Sequence, residues 1–222
     1  PVTASAFMLS DRAALRAAHL ILASGSPRRV EIFNEVLQLE ARVVPSTFPE
    51  NLDKSLYTPT EYVQENARLK AMEVYTRLMS EAEGPPRLVV GADTVVVLEG
   101  EILEKPKSEE HAREMLRRLS GGSHEVSTGV ALIYGPAGAD ASDVAPHTEM
   151  FVETTKVEFG ELSSETIDAY VESGEPMDKA GAYGIQGVGG SFVSSITGCY
   201  FNVVGFPMHR FCTKLDLKRL TM

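Results

Sequence analysis

The chain lacks tryptophan, has only two cysteines and contains fewer basic than acidic side chains. Cys199 and Cys212 have neither the paired spacing of a zinc site nor the number needed for a disulfide framework, so we expect a protein of the reducing cytoplasm. A formal net charge of −10 argues against a protein that coats nucleic acid, because binding to a phosphate backbone needs a basic face. No apolar run approaches the roughly 20 residues that cross a bilayer, so no membrane partner is expected.

Length and composition favour one folding unit. The chain has 222 residues, of which 43% are hydrophobic, enough for a substantial core. Residues 1–17 are rich in Ala and Ser and are predicted to form a flexible tail. Arg12 and Arg16 faintly suggest a targeting peptide, but Asp11 and the lack of an arginine-rich face favour a tail. Residues 18–222 are predicted to form a single domain.

An acidic residue interrupts the most apolar stretch of the chain. Residues 88–98 are nearly all Val, Leu, Ala or Gly, which predicts a strand buried on both faces, and Asp93 lies in its middle. A carboxylate there costs several kcal/mol unless a cation, a metal or hydrogen-bond donors compensate it. The alternative is that Asp93 caps a turn after Gly91. Because the apolar run resumes at once, we expect instead a bulge that directs Asp93 into a cleft.

A second unusual pattern follows the first predicted strand, at residues 19–23. Ser26 and Pro27 are typical of a helix start, yet Arg28 and Arg29 stand in the first turn, where cations are disfavoured unless an anion lies between them. A phosphate held by Ser24, Arg28 and Arg29 would explain the pattern. The alternative is a capped helix start whose arginines face water. The turn is not a P-loop, because the spacing of that motif is absent.

Further cations and acids fall at the ends of predicted elements. A polar stretch after a second strand, at residues 41–45, holds Glu50, and a helix capped by Thr60 should run over residues 61–79 with Asn66 and Lys70 on one face, ordinarily a solvated one. A turn at residues 99–100 and a return strand would present Lys105 at the end of the sheet.

The last third of the chain contains a glycine-dense segment, residues 174–190. Glycine permits close backbone approach to a ligand, while Asp178, Lys179 and Gln186 supply an acid, a cation and an amide. A strand hairpin over residues 191–204 and a helix after Pro207 are predicted to follow, and residues 135–147 read as a mobile surface loop. The fold class is α/β: a mixed twisted sheet with flanking helices and two lobes around a cleft.

These out-of-place polar residues suit one class of ligand. Acids such as Glu50 and Asp93 can hold Mg²⁺ or Mn²⁺ on a nucleoside triphosphate, and one carboxylate can orient or deprotonate a water. Cations can spread over the phosphates: Arg28, Arg29, Lys70, Lys105 and Lys179. The residues alone therefore predict a phosphate-handling enzyme.

Several of these motifs resemble those of the Maf family of nucleotide pyrophosphatases in order and spacing. They are residues 24–29, 91–94, 104–106, 119–121 and above all 174–187, and the likeness covers residues 20 to 215. The resemblance implies hydrolysis of a nucleoside triphosphate between the α and β phosphates, as a safeguard on nucleotide pools. It also implies a divalent metal, a fold similar to that of inosine triphosphatase, and commonly a homodimer.

The resemblance also assigns roles to residues. Asp93 matches the catalytic acid, described as a proton acceptor, and Lys70 and Lys105 match lysines needed for activity. The phosphate-binding turn corresponds to Ser24, Arg28 and Arg29, and Glu50 loosely matches the acid in the early polar loop, which varies in length. Arg29, Thr94 and Gln186 together are similar to the branch that acts on dTTP and UTP, and a glutamine amide can both donate to and accept from a pyrimidine edge.

Three alternatives remain open at this point. Asp93 is either a proton acceptor or chiefly a metal ligand, because an aspartate beside a metal and lysines is a weak base. A 7-methyl-GTP pyrophosphatase of the sister branch would share the motifs but differ in base selectivity. A non-catalytic nucleotide-binding regulator of division would keep the cations and lose the acid.

Overall fold

The computed structural model describes residues 13, 15, 16, 18–79, 86–136 and 145–221. Its strands are β1 (Leu20–Leu22), β2 (Arg42–Val43), β3 (Leu88–Leu98), β4 (Glu101–Leu103), β5 (Ser123–Tyr134), β6 (His147–Phe159) and β7 (Val193–Thr197). Its α-helices are α1 (Pro27–Glu31, continued by a π-helical turn Ile32–Val36), α2 (Pro59–Leu78), α3 (Glu109–Leu119), α4 (Ser164–Glu172), α5 (Tyr200–Val204), α6 (Met208–Lys214) and α7 (Lys218–Thr221). Short 3₁₀ turns lie at Lys54–Leu56, Glu175–Asp178, Ala180–Ala182 and Val188–Phe192.

The strands form one mixed, seven-stranded sheet in the order β2-β1-β3-β5-β6-β7, with β4 also paired to β3. β1 runs parallel to β2 and β3, whereas the pairs formed by β3, β4, β5, β6 and β7 with one another are antiparallel. The predicted α/β class with a mixed sheet and flanking helices is confirmed.

One edge of β3 is interrupted. β5 pairs with β3 along residues 88–97, but on the opposite edge β1 pairs only with residues 88–90 and β4 only with residues 96–98. No described strand pairs with residues 91–95 on that edge. Because successive side chains of a strand point to opposite faces, Asp93 and Thr94 reach this gap from the two sides of the sheet.

Two hydrophobic clusters on one sheet face flank the same point. Leu88, Val90 and Ala92 belong to the cluster that packs against α1 and α6, whereas Val96 and Leu98 belong to the cluster that packs against α3 and α4. On the other face, α2 packs along β3 and β5. The predicted two lobes are these two clusters, and the cleft opens between them.

Four local predictions need correction. The bulge at Asp93 is wrong, since the pairing of β3 with β5 is continuous through Asp93 and Gly129. The cap of the long helix is Thr58, not Thr60, because Pro59 takes the first helical position and Thr58 forms a reciprocal capping box with Glu61. The second strand extends only over Arg42–Val43. The predicted strand at residues 200–204 is the helix α5.

Two predictions fall partly outside the described residues. Of the predicted tail, residues 1–12, 14 and 17 lie outside them, but Leu15 is fully buried in the core and Arg16 donates a 2.9 Å hydrogen bond to the carbonyl oxygen of Gln38. The packed part of the chain therefore begins at or before Leu15, ahead of the boundary predicted at residue 18. Residues 137–144 of the predicted loop also lie outside the described residues.

Candidate active site

A cleft of about 1010 Å³ opens at the interrupted edge of β3. Its walls come from the turn between β1 and α1, from the middle of β3, from residues 104–105, from the glycine-dense segment and from the end of α5. Every site residue predicted from the sequence lines this cleft: Ser24, Arg28, Arg29, Glu50, Lys70, Asp93, Thr94, Lys105, Lys179 and Gln186. The structure thus brings together side chains that are up to 162 positions apart, from Ser24 to Gln186.

Lys70 provides the compensation that Asp93 requires. Its ammonium nitrogen lies 2.8 Å from Asp93 Oδ1 and 2.7 Å from Glu50 Oε2. The side chains of Lys70 and Asp93 are only 10% and 11% exposed, whereas that of Glu50 is 53% exposed. The face of α2 that carries Asn66 and Lys70 is therefore buried against β3 rather than solvated. One buried cation joins the two acids that the sequence singles out.

A second polar group lies behind this triad and was not predicted from the sequence. Glu104 accepts a 2.9 Å hydrogen bond from the Tyr62 hydroxyl and forms an ion pair of 2.5 Å with Lys54. Burial raises the pKa of Glu104, but the contacts with Lys54 and Tyr62 outweigh it, so the pKa lies below its usual value. Burial and Glu104 raise the pKa of Tyr62, which therefore stays a hydrogen-bond donor. This arrangement fixes the strand end that presents Lys105.

Arg29 is held in place by three acceptors. It donates to the carbonyl oxygen of Gly205 at 2.9 Å, to Thr94 Oγ1 at 2.9 Å and to Ser24 Oγ at 3.2 Å. Burial lowers the pKa of its guanidinium, and the negative charge of Asp93 opposes that effect. As an arginine it remains charged. Its positive charge therefore stands at a fixed place between the β1–α1 turn and the middle of β3.

Arg28 and Lys179 share an acid. Arg28 Nη1 lies 3.2 Å from Asp178 Oδ2, and the ammonium nitrogen of Lys179 lies 2.6 Å from Asp178 Oδ1. The Lys179 ammonium group also donates to the carbonyl oxygen of Glu175 at 2.5 Å. Two predicted phosphate-binding cations are thus joined across the cleft by one carboxylate. Lys105, by contrast, is exposed and has no hydrogen-bond or ion-pair partner among the described residues.

The glycine-dense segment is shaped by the Glu175 carboxylate. It accepts from the Tyr170 hydroxyl at 3.0 Å and from the backbone N–H groups of Val188 and Gly189 at 3.0 and 3.2 Å. A side chain at Gly187 would overlap this carboxylate and push it away from these partners. Gln186 is exposed at the cleft, immediately before Gly187. The role of Glu175 could not be predicted from the sequence, because its partners depend on how the segment folds back.

The acids at the cleft fit a divalent metal of the predicted kind. Carboxylate oxygens are the ligands that Mg²⁺ prefers, and such sites often use one or two carboxylates completed by substrate phosphates and water. Glu50 and Asp93 are two carboxylates that touch the same ammonium nitrogen, so both face one point. Within the described ranges no three acidic, histidine or cysteine side chains form a metal site by themselves. The donor set is therefore compatible with a metal that arrives with a phosphate ligand.

Comparisons with known proteins agree with this geometry. The model of the family described as Maf-like protein matches residues 19–217. The chain is 49% identical over 197 residues to a human protein named "Probable bifunctional dTTP/UTP pyrophosphatase/methyltransferase protein", covering 88% of this chain but only 31% of that longer protein. It is 45% identical to a dTTP/UTP pyrophosphatase of Clostridium perfringens strain SM101, with 91% of this chain and 98% of the relative covered. A dTTP/UTP pyrophosphatase of Thermococcus onnurineus is 49% identical, with 85% and 92% covered.

Among solved structures, the Ham1 protein of Staphylococcus aureus matches 63% of this chain and 71% of its own, at 19% identity and a TM-score of 0.39. That match is too weak to support a conclusion. The family match spans nearly the whole chain, and two relatives are matched over nearly their full length. The chain belongs to the Maf family.

Proposed function

We propose that this protein is a nucleoside triphosphate pyrophosphatase that hydrolyses dTTP and UTP to the monophosphate and pyrophosphate. The structural observation that carries the proposal is the composition of the cleft. Five cationic side chains line it, and one of them, Lys70, joins the two acids Glu50 and Asp93. Relatives that are 44–49% identical and are named dTTP/UTP pyrophosphatases support the choice of substrate. Removal of these nucleotides, and of modified pyrimidine nucleotides, would be a safeguard on nucleotide pools.

The reaction replaces the anhydride bond between the α and β phosphates with a bond to water. Lys105 lies where it can bind the phosphate oxygens, and Arg28 and Lys179 can join it when they release Asp178. Asp93 would hold the attacking water by a hydrogen bond and take its proton as the bond to phosphorus forms. Lys70 would hold the Asp93 carboxylate in position through their 2.8 Å contact. Pyrophosphate then leaves with the bridging oxygen.

We further propose that Glu50 and Asp93 hold Mg²⁺ or Mn²⁺ together with the substrate phosphates. A bound divalent ion would neutralise phosphate charge and polarise the scissile bond. The exposed Glu50 is free to turn, so its carboxylate can leave Lys70 without unfolding α2. Addition of EDTA should abolish turnover, and either Mg²⁺ or Mn²⁺ should restore it.

Base selection would be carried out by Arg29, Thr94 and Gln186. Arg29 and Thr94 are joined by a 2.9 Å hydrogen bond, whereas Gln186 is exposed and lines the cleft from the glycine-dense segment. An amide can both donate to and accept from the edge of a pyrimidine. A site built for those hydrogen bonds rejects a base that leaves them unpaired.

The decisive experiment is a pyrophosphate-release assay with each metal across dTTP, UTP, CTP, dATP, GTP and 7-methyl-GTP. We expect release from dTTP and UTP above the rest. Release from 7-methyl-GTP alone would overturn the base assignment, and binding of all nucleotides without release would favour a nucleotide-binding regulator of division.

We also propose the cellular location of the enzyme. None of the helices in the described ranges combines the length and apolar character that a bilayer crossing demands. Cys199 and Cys212 carry free thiols, which are typical of the reducing cytoplasm, where we place the enzyme. A homodimer and the lack of a nucleic-acid partner stay predictions, to be checked by light scattering and by a filter-binding assay.

A further inference from the structure

The cleft contains as many acidic as cationic side chains. The five predicted cations are matched by five carboxylates on its lining: Glu50, Asp93, Glu104, Glu175 and Asp178. Four of these acids have an evident task, since Glu50 and Asp93 share Lys70, Glu104 fixes Tyr62, and Glu175 shapes the glycine-dense segment. Asp178 differs because its main partners are side chains that a phosphate would need.

Asp178 imitates a phosphate in its contacts. Its two carboxylate oxygens face different cations, Oδ2 at 3.2 Å from Arg28 Nη1 and Oδ1 at 2.6 Å from the Lys179 ammonium nitrogen. Arg28 Nη2 also donates to the Asp178 carbonyl oxygen at 3.4 Å. A bound phosphate group would bridge the arginine and the lysine in the same way, because it is also an oxyanion.

Asp178 is more exposed than the two cations that it contacts, so a phosphate can replace it. The Asp178 side chain is 60% exposed, whereas those of Arg28 and Lys179 are 26% and 16% exposed. The acid can therefore rotate into water at little cost while both cations keep their positions. Hydrogen bonds to the carbonyl oxygens of Asp178 and Glu175 hold those cations when the carboxylate leaves.

We propose that Asp178 is an internal competitor for the phosphate chain: its carboxylate holds Arg28 and Lys179 ready in the empty cleft, yields them to the triphosphate and recaptures them as pyrophosphate leaves. The inference deepens the proposed function and rests on it for the identity of the ligand. Asp178 is a positioning residue, since it acts through Arg28 and Lys179. Its effect is to keep product binding weak.

The test is the binding of inorganic pyrophosphate to the full-length protein, measured by calorimetry in buffer without divalent metal. Asp178→Asn keeps the shape and removes the charge, so pyrophosphate should bind about fivefold more tightly, a typical value for one exposed ion pair. Asp178→Glu keeps the charge and should stay within about twofold of the unmodified protein. Loss of a merely structural contact would change affinity in the opposite direction.

Asp168→Asn is the matched control. Asp168 also accepts from an arginine, Arg113 Nε at 2.9 Å, and its side chain is 51% exposed, but it lies outside the cleft lining. Its replacement should leave pyrophosphate affinity unchanged. Asp178→Ser provides a second neutral variant if Asp178→Asn does not fold, as judged by circular dichroism.

The outcomes separate this inference from the proposed function. Tighter pyrophosphate binding by the neutral variants, with a lower inhibition constant for pyrophosphate in dTTP hydrolysis, is the expected result. Unchanged or weaker binding, or no binding to any variant, would overturn the inference even if dTTP is hydrolysed. Tighter binding without hydrolysis of any nucleotide would overturn the proposed function and leave the role of Asp178 as a competitor for anions intact.

Discussion

Arg29 Nη2 donates a 2.9 Å hydrogen bond to the hydroxyl oxygen of Thr94, although 65 positions separate the two residues. The bond connects the turn after β1 to β3 at the point where the β3 edge has no described strand neighbour. Thr94 Oγ1 also lies 2.9 Å from Thr128 Oγ1 on β5, so the hydroxyl links Arg29 to the sheet. A positive charge at the cleft is thereby fixed to the paired strands β3 and β5.

Replacement of Thr94 by Val should loosen Arg29. The variant keeps the side-chain volume but removes the hydroxyl, and we expect a loss of about 1–2 kcal/mol in the free energy of unfolding. The KM for dTTP should rise, and discrimination against CTP should fall, because the guanidinium loses one of its three acceptors and keeps only Ser24 and Gly205. Steady-state kinetics with both nucleotides and urea denaturation measure the two effects.

Ser127→Ala is the control for this prediction. Ser127 Oγ lies 2.9 Å from Thr154 Oγ1 in the same sheet, but Ser127 does not line the cleft. The control should lose stability without a change in KM. Equal KM values for dTTP in Thr94→Val and in the unmodified enzyme would show that the contact has no part in substrate binding.

Asp93→Asn should remove most of the turnover and leave the fold intact. The amide keeps the shape of the side chain, and Lys70 retains its contact with Glu50, so no buried lysine is left without an acid. Loss of a general base typically costs about 10²–10⁴-fold in rate. Pyrophosphate release measures the effect, and a thermal melt checks the fold. Turnover within about threefold of the unmodified enzyme would mean that Asp93 has no such role.

The importance of Asp93 could be predicted from the sequence, but the contact that compensates its charge could not. An acid inside an apolar strand requires compensation by elementary energetics, so its importance follows from residues 88–98 alone. Lys70 was predicted as a cation of the site, but its contact with Asp93 was not, because a lysine on a helix ordinarily faces water and its burial depends on how α2 packs across the sheet. The contact appears only when residues 23 positions apart are brought together.

Helix α5 shows why a strand prediction at residues 200–204 was wrong. Aromatic and β-branched residues favour a strand locally. In the fold, Asn202 is fully buried and donates from its amide to the Val126 carbonyl oxygen at 2.8 Å and to Thr155 Oγ1 at 3.0 Å. Those tertiary contacts outweigh the local preference. The Thr58 cap, in contrast, can be predicted from the sequence, because Pro59 suits the first helical position and Glu61 completes a typical capping box with Thr58.

The free energy of unfolding should fall as the pH drops from about 6.5 to about 4 because of His124. This residue is 3% exposed, and burial lowers its pKa from 6.5 to about 4. Between these two pKa values the unfolded chain binds a proton on His124, whereas the folded protein does not. The contribution of His124 to the free energy of unfolding is therefore fully present above pH 6.5 and is lost as the pH falls to about 4. The expected loss is about 3 kcal/mol. Urea denaturation at several pH values measures it.

Two variants isolate this effect from other titrating groups. His124→Gln keeps a side chain that can hydrogen-bond with the Tyr183 hydroxyl, now 2.8 Å from His124 Nε2, but it cannot titrate, so the slope should become flatter. His147→Gln replaces an exposed histidine at the start of β6 and should keep the slope of the unmodified protein. Identical slopes in all three proteins would exclude His124 as the cause.

Gly91→Ala should separate α2 from β3. A methyl group at Gly91 would overlap the Ala67 carbonyl oxygen and the Ala71 side chain, so the helix that carries Lys70 would have to move. Overpacking of this kind typically costs about 1–3 kcal/mol. Activity should fall as well, because Lys70 shifts relative to Asp93.

Gly25→Ala is the control for this variant. At Gly25, also on the cleft, the nearest atom lies 3.6 Å from the added methyl, so Gly25→Ala should retain stability. A Gly91→Ala protein as stable as Gly25→Ala would contradict the close packing of α2.

Glu175→Ala should loosen the segment that presents Gln186 while the rest of the fold stays protected. The change leaves the N–H groups of Val188 and Gly189 without their acceptor and the Tyr170 hydroxyl without its carboxylate partner. Amide hydrogen exchange over residues 183–190 should accelerate, and the KM for dTTP should rise more than kcat falls, since binding geometry is lost before chemistry. Glu172→Ala, at an exposed position near the end of α4, is the matched control and should leave both measurements unchanged. If exchange in the segment stays slow in Glu175→Ala, contacts other than this carboxylate hold the segment, and the placement of Gln186 depends on them instead.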